Sequence, residues 1–185
     1  MKTGSSELLD DLLKRTEAVE AAALALTRLT EETLLYRPTS ARWNILENIE
    51  HLNRYADFYL PAIKSSIESS TKPPSGTYRS YLLGNYFAES MPPRQKLNKM
   101  KTFKSKDPIG ANISRQVIAH FLEDQRQLLQ LLVQARKVNL MKNRTPTTMA
   151  TWLTIMLGDT LRVVVYHNER HIKQIEELVN MQQLQ

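Results

Sequence analysis

Two histidines, His167 and His171, stand four apart in the run YHNERHIKQIEEL. On an α-helix that spacing leaves them within about 40° of each other and roughly 6 Å apart along the axis. Two neutral imidazoles so placed can share one divalent ion. The chain has only four histidines, and a third, His51, lies in another strongly helical segment, WNILENIEHLNRYADFYL. Three histidine ligands with an open coordination position is the composition of a catalytic metal site rather than a closed structural one.

Helices must position these residues. The first is expected from Ser5 or Ser6 to Glu32, with Leu8, Leu12, Val19, Ala23 and Leu26 inward; Arg37, Pro38 and Thr39 end it. Ser40 is a candidate N-cap for the second, which shows Ile45, Ile49, Leu52, Ala56, Ile63 and Ile67 at helical spacing, with a kink expected at Pro61. From Thr71 to about Gly110 the chain is irregular, with Pro73, Pro74, Pro92, Pro93 and Pro108 and a short helix over Leu82 to Phe87. The third helix spans Asn112 to Gln134, with Val117, Ile118, Phe121, Leu128, Leu129 and Leu132 inward. The fourth starts at Thr147 or Gly158, ends near Met181, and carries Leu161, Val164, His171, Ile175 and Leu178 on one stripe. No segment alternates as a strand would. The pattern predicts one all-α domain over residues 1–185, a four-helix bundle running up-down-down-up with a long crossover between helices two and three. In that arrangement the early part of helix two faces the later part of helix four, which are the parts holding His51 and the His167/His171 pair.

At 185 residues the chain can bury a core without a structural metal, so an ion is expected to serve function rather than folding. Without cysteine, disulfides, thiolate nucleophiles and cysteine-based zinc sites are excluded. The opening MKTGSSELLDDLLKR carries acids where a secretory signal needs an apolar core, and AVEAAALALTRL is too short to span a bilayer. No membrane and a cytoplasmic location are expected. The net charge of +6 raises the question of nucleic acid. The basic clusters, Lys96 to Lys106 and Arg136 to Arg144, have only Phe103 for base stacking and match no nucleic-acid motif, so they read as a solvated face.

Taken singly, each histidine has an ordinary reading. His171 lies about 40° off the apolar stripe of the fourth helix and His167 about 80°, as boundary residues would. His51 falls about 120° from the centre of its stripe, on a side shared with Asn44, Asn48 and Tyr55, as a surface residue or one lining a polar cleft would. His120, in SRQVIAHFLED, reads as a boundary or exposed residue. Trp43 and Trp152 read as core or helix-start anchors. Glu47, Asn48, Asn168 and Glu169 are candidates to receive the second ring nitrogen of a metal-bound histidine.

Trp43 eight residues before His51 in WNILENIEHL, then a last helix with HNERH followed by IKQIEEL, resembles the DinB/YfiT superfamily of small four-helix metalloproteins over nearly the whole chain. The resemblance implies that His51, His167 and His171 bind one divalent metal (Zn, Ni or Fe) at one end of the bundle. It implies a metal-dependent enzyme, either an S-transferase using a low-molecular-weight thiol or a hydrolase, acting on a small-molecule substrate. The absence of cysteine means any such thiol arrives as a cosubstrate. The alternative is a non-catalytic bundle acting through association. An enzyme needs a concave site over the metal, whereas the alternative needs only a filled bundle. A homodimer is expected through Tyr55, Phe58 and Tyr59 of helix two or through Tyr78, Tyr81, Tyr86 and Phe87 of the crossover, unless those aromatics fold back as a lid.

Overall fold

In the computed structural model, which describes residues 1–92 and 102–183, the first helix, α1, spans Ser5–Leu26. It stops short of the expected Glu32 because Thr30 caps a separate short helix, α2 (Glu31–Leu35), accepting a hydrogen bond from the Thr33 N–H at 3.2 Å. The second long helix, α3 (Ile45–Glu68), begins after Asn44 and not after Ser40. The Asn44 side chain accepts from the Glu47 N–H at 2.8 Å, and the Glu47 carboxylate accepts from the Asn44 N–H at 2.9 Å. This reciprocal cap satisfies two donors at once, which Ser40 could not match. The helix continues through Pro61.

The connection to the third long helix holds a β-strand, β2 (Thr77–Arg79), and α4 (Leu82–Ser90). Next come a 3₁₀ turn at Lys104–Lys106 and α5 (Gln116–Gln134). Helix α6 (Leu157–Gln183) completes the bundle; Thr147 lies upstream of it. Two three-residue antiparallel ladders depart from the strand-free expectation: β1 (Lys2–Gly4) pairs with β2, and β3 (Arg144–Pro146) with β4 (Thr154–Met156).

Helices α1 and α3 each pack chiefly on α5 and α6, so α1 stands diagonally across the bundle from α3, and α5 from α6. The core falls into two clusters. One joins Leu8 and Leu12 of α1, Leu60 and Ile63 of α3, Leu128 and Leu131 of α5, and Leu161 and Val164 of α6. The other joins Val19 and Ala23, Ile45 and Ile49, Ile118 and Phe121, and Ile172 and Ile175 of the same helices. The first cluster therefore takes the early parts of α1 and α6 with the late parts of α3 and α5, which makes the order up-down-down-up. Leu131 is buried, whereas Leu129 is half-buried. Trp152 is 83% exposed and no core residue.

Between the clusters the bundle has a polar waist. Thr16, Asn53, Gln125, Asn168 and His171 are all buried there. A second buried polar group fastens α4 and β2 to α6: Asp159 accepts from Tyr78 Oη and Ser80 Oγ, both at 2.5 Å, and from Arg162 at 3.3 Å. Arg162 also reaches Glu89 of α4 at 2.5 Å. Among the described residues no helix is long and apolar enough to cross a membrane.

Candidate metal centre

The waist brings the three histidines together. One ring nitrogen from each of His51, His167 and His171 lies within 4.8 Å of the other two, and the Nε2 atoms of His51 and His167 are 3.3 Å apart. A tetrahedral ion held at ordinary His–metal distances separates its ligand nitrogens by about 3.4 Å, so the cluster needs only small side-chain adjustments to take one. The site lies between the two core clusters, not at an end of the bundle as the resemblance implied.

Two rings have their tautomers set. His51 Nδ1 faces the Lys106 carbonyl oxygen at 2.8 Å, which can only accept, so Nδ1 carries the proton and Nε2 a lone pair. His171 Nδ1 lies 2.9 Å from Asn48 Oδ1. The Asn48 amide cannot turn over without loss, because its Nδ2 donates to the Asn44 carbonyl at 2.8 Å. His171 is therefore also a donor at Nδ1 and offers Nε2 to the site. Such partners are what orient histidines on a metal.

Burial keeps all three rings neutral. It lowers the His51 pKa to about 4, against a weaker upward pull from the Lys106 carbonyl. His167 and His171 fall well below the ordinary imidazole value, first through burial and then through the neighbouring histidines and Arg170. Neutral imidazoles whose ring nitrogens converge on one point are a donor set that a divalent transition metal fits.

A family model of the DinB superfamily matches residues 14–175. The chain belongs to the DinB superfamily. Among solved structures it is similar to YfiT from Bacillus subtilis, described as a probable metal-dependent hydrolase with an unusual four-helix bundle topology. The likeness has a TM-score of 0.55 at 20% sequence identity, and it covers 95% of this chain and 87% of that one. Comparison with curated proteins gave no match.

In this DinB protein the histidines line a cavity of about 880 Å³. Trp43, expected as an anchor, immediately precedes the α3 cap and packs on the rings, 4.6 Å from His51 and 5.9 Å from His171 between centroids. Tyr55 closes the other side, 4.9 Å from His51 and 4.8 Å from His167; burial raises its phenol to about 12, keeping it protonated. His51, which helical periodicity alone put on the surface or in a polar cleft, is 3% exposed, because Trp43, Tyr55 and the turn at Lys106 enclose it.

Of the other candidates only Asn48 touches a ligand nitrogen. Glu47 is used by the α3 cap and by Arg37 at 2.8 Å, Glu169 pairs with Arg15 at 2.9 Å, and Asn168 donates to Gln125 at 3.1 Å. His120 stays outside, 3.8 Å from Asp57 and 3.7 Å from Asp124. The Lys106 carbonyl had no signal in the sequence, since a backbone acceptor carries no residue identity.

Proposed function

We propose that this chain is a divalent-metal-dependent enzyme acting on a small molecule, with His51, His167 and His171 holding the ion. The observation that carries the reading is the convergence of three neutral imidazoles, two with their tautomers fixed from behind, on a cavity large enough for a substrate. A filled waist would have served a bundle that acts only through association. The description of YfiT as a metal-dependent hydrolase supports the same class.

A divalent ion held there, Zn, Ni or Fe, would supply Lewis acidity for hydrolysis or for S-transfer from an external thiol. The residues around it orient and exclude. Trp43 and Tyr55 cover the imidazoles from two sides, and the protonated Tyr55 phenol is a hydrogen-bond donor for developing negative charge on a substrate. No Asp or Glu is among the described residues lining the cavity, so a general base from that class is not at hand. The chain has no cysteine, and a thiol for S-transfer therefore enters as a low-molecular-weight cosubstrate.

The test is elemental analysis of protein loaded in turn with Zn, Ni and Fe, followed by ester and amide hydrolysis and by thiol transfer to small electrophiles. One ion per chain with turnover in one of the two assay classes is expected. Failure to retain any of the ions would overturn the reading.

A further inference from the structure

The cavity is not uniform along α6. Val163 and Val164 line it before the histidines and Gln174 and Leu178 after them; from Val164 to Gln174 the axis advances about 15 Å. Beside Val163 and Val164 the walls are Tyr59, Phe87, Met91 and Ile155, all within or packed against the first core cluster. This lobe is largely apolar and aromatic, with Thr148 bonded to the Tyr59 hydroxyl at 3.3 Å as a polar exception.

Towards the far end the wall changes character. Arg42 lines the cavity there, tied to the end of α6 by a 3.6 Å approach to Met181 Sδ. Its nearest acid, Glu177, is 3.8 Å away and does not line the cavity. Arg170, 5% exposed, lines the cavity beside the histidines. The described lining thus holds two guanidinium groups and no carboxylate. A neutral three-imidazole donor set would leave a bound ion its full positive charge beside this lining.

We propose that the substrate, or the thiol cosubstrate, is an amphipathic anion: its apolar or aryl body lies in the Tyr59–Phe87 lobe, its carboxylate faces Arg42, and its reacting atom is held between them at the histidines. The placement of the reacting atom rests on the metal reading given above. The two-lobed binding of an anion does not. Guanidinium groups bind carboxylates through charge-assisted hydrogen bonds, and a body placed in the apolar lobe removes hydrocarbon from water.

The experiment is calorimetric titration of 8-phenyloctanoate, its primary amide and octanoate into zinc-loaded and metal-free protein. The carboxylate should bind about tenfold more tightly than the amide, and octanoate, lacking the ring, about tenfold more weakly than the phenyl acid. Arg42→Gln should reduce the carboxylate preference at least about threefold without changing zinc content, because half of such a contact is exposed and screened. Glu177→Gln, at an exposed site, should raise it. A carboxylate preference unchanged in Arg42→Gln but lost on metal removal would place the anion on the ion and overturn the proposal while the metal reading stands. Failure to bind zinc, with the preference and its Arg42 dependence intact in the metal-free protein, would overturn the metal reading and leave this one standing.

Discussion

Asn48→Ala removes the one side chain that fixes a ligand tautomer. In the native protein the Asn44 carbonyl holds Asn48 Nδ2 at 2.8 Å, so Oδ1 must face His171 Nδ1 at 2.9 Å. His171 is buried, and the truncated side chain leaves its Nδ1 without a fixed acceptor. The ring then divides between tautomers and orientations, half of which turn an N–H toward the site. Loss of an orienting partner of this kind weakens metal binding about 10- to 100-fold, which is about 1.4 to 2.7 kcal/mol. The fold loses two hydrogen bonds, worth about 1 to 3 kcal/mol together, and the helical signal should persist. Competition against a chromophoric chelator measures the affinity, and long-range ¹H–¹⁵N spectra of metal-free protein report the His171 tautomer. Native-like zinc affinity within about twofold, together with an unchanged Nδ1–H tautomer, would refute the argument that Asn48 sets the site.

Four further outcomes follow from the same geometry. His171→Ala should abolish tight metal binding while circular dichroism still reads a helical bundle, since apolar burial in two separate clusters carries the fold; unfolding on metal loss would make the site structural. For metal-free protein, stability should fall between pH 6.5 and about 4: the unfolded chain protonates His51 first, because its folded value is about 4, and that group alone costs about 2 kcal/mol by pH 5. His167 and His171 act in the same direction, whereas Asp124, raised to about 6 by burial, opposes them as a single group; a urea midpoint equal or higher at pH 5 than at pH 7 would contradict this. Gly84→Ala should lower stability by about 2 to 3 kcal/mol in thermal melts, because its new Cβ would press into an Asp159 carboxylate already held by Tyr78, Ser80 and Arg162, and a neutral result would show that α4 is free to shift. Light scattering at micromolar concentration is expected to read a homodimer through the α4 face, where Tyr81 and Leu82 are 63% and 94% exposed, and a monomer would remove that expectation.

The sequence exposed some layers of this molecule and hid others for physical reasons. Helical periodicity identified the inward residues of α1, α3 and α6, because each helix buries a stripe wide enough to leave its signature. The four-residue spacing of His167 and His171 was legible in the same way. His51 was not, since its position follows from a covering tryptophan and a distant turn, and family resemblance rather than spacing singled it out. The α3 cap was written plainly as Asn44 followed by Glu47, yet Ser40 is an equally good cap type until the reciprocal partner is sought. Ladders of three residues are too short for alternation to emerge. The pairing of Asp159 with Arg162 could have been suspected from two opposite charges three apart beside the apolar run VVV.

The division of the core into two clusters accounts for how a bundle of this size tolerates its waist. A continuous apolar core would be more stable, since a buried polar group gains nothing unless its hydrogen bonds are remade. Here Thr16 bonds to the Leu12 carbonyl, Asn53 to the Val117 carbonyl and Asn168 to Gln125, so most of the layer is satisfied within itself. Among the described residues Asn53 Oδ1 and Asp124 Oδ2 have no hydrogen-bond partner, a residual cost that the leucine-rich clusters on either side offset. The histidines are placed where that cost has chemical use. Burial strips their protons, the Lys106 and Asn48 acceptors choose which nitrogen keeps one, and the lone pairs are left facing a cavity. The same desolvation that makes the waist expensive to the metal-free fold makes it a ready donor set for a divalent ion. Most of the stability therefore resides in different layers from the site, and substitutions in the apolar clusters should register only weakly in metal affinity.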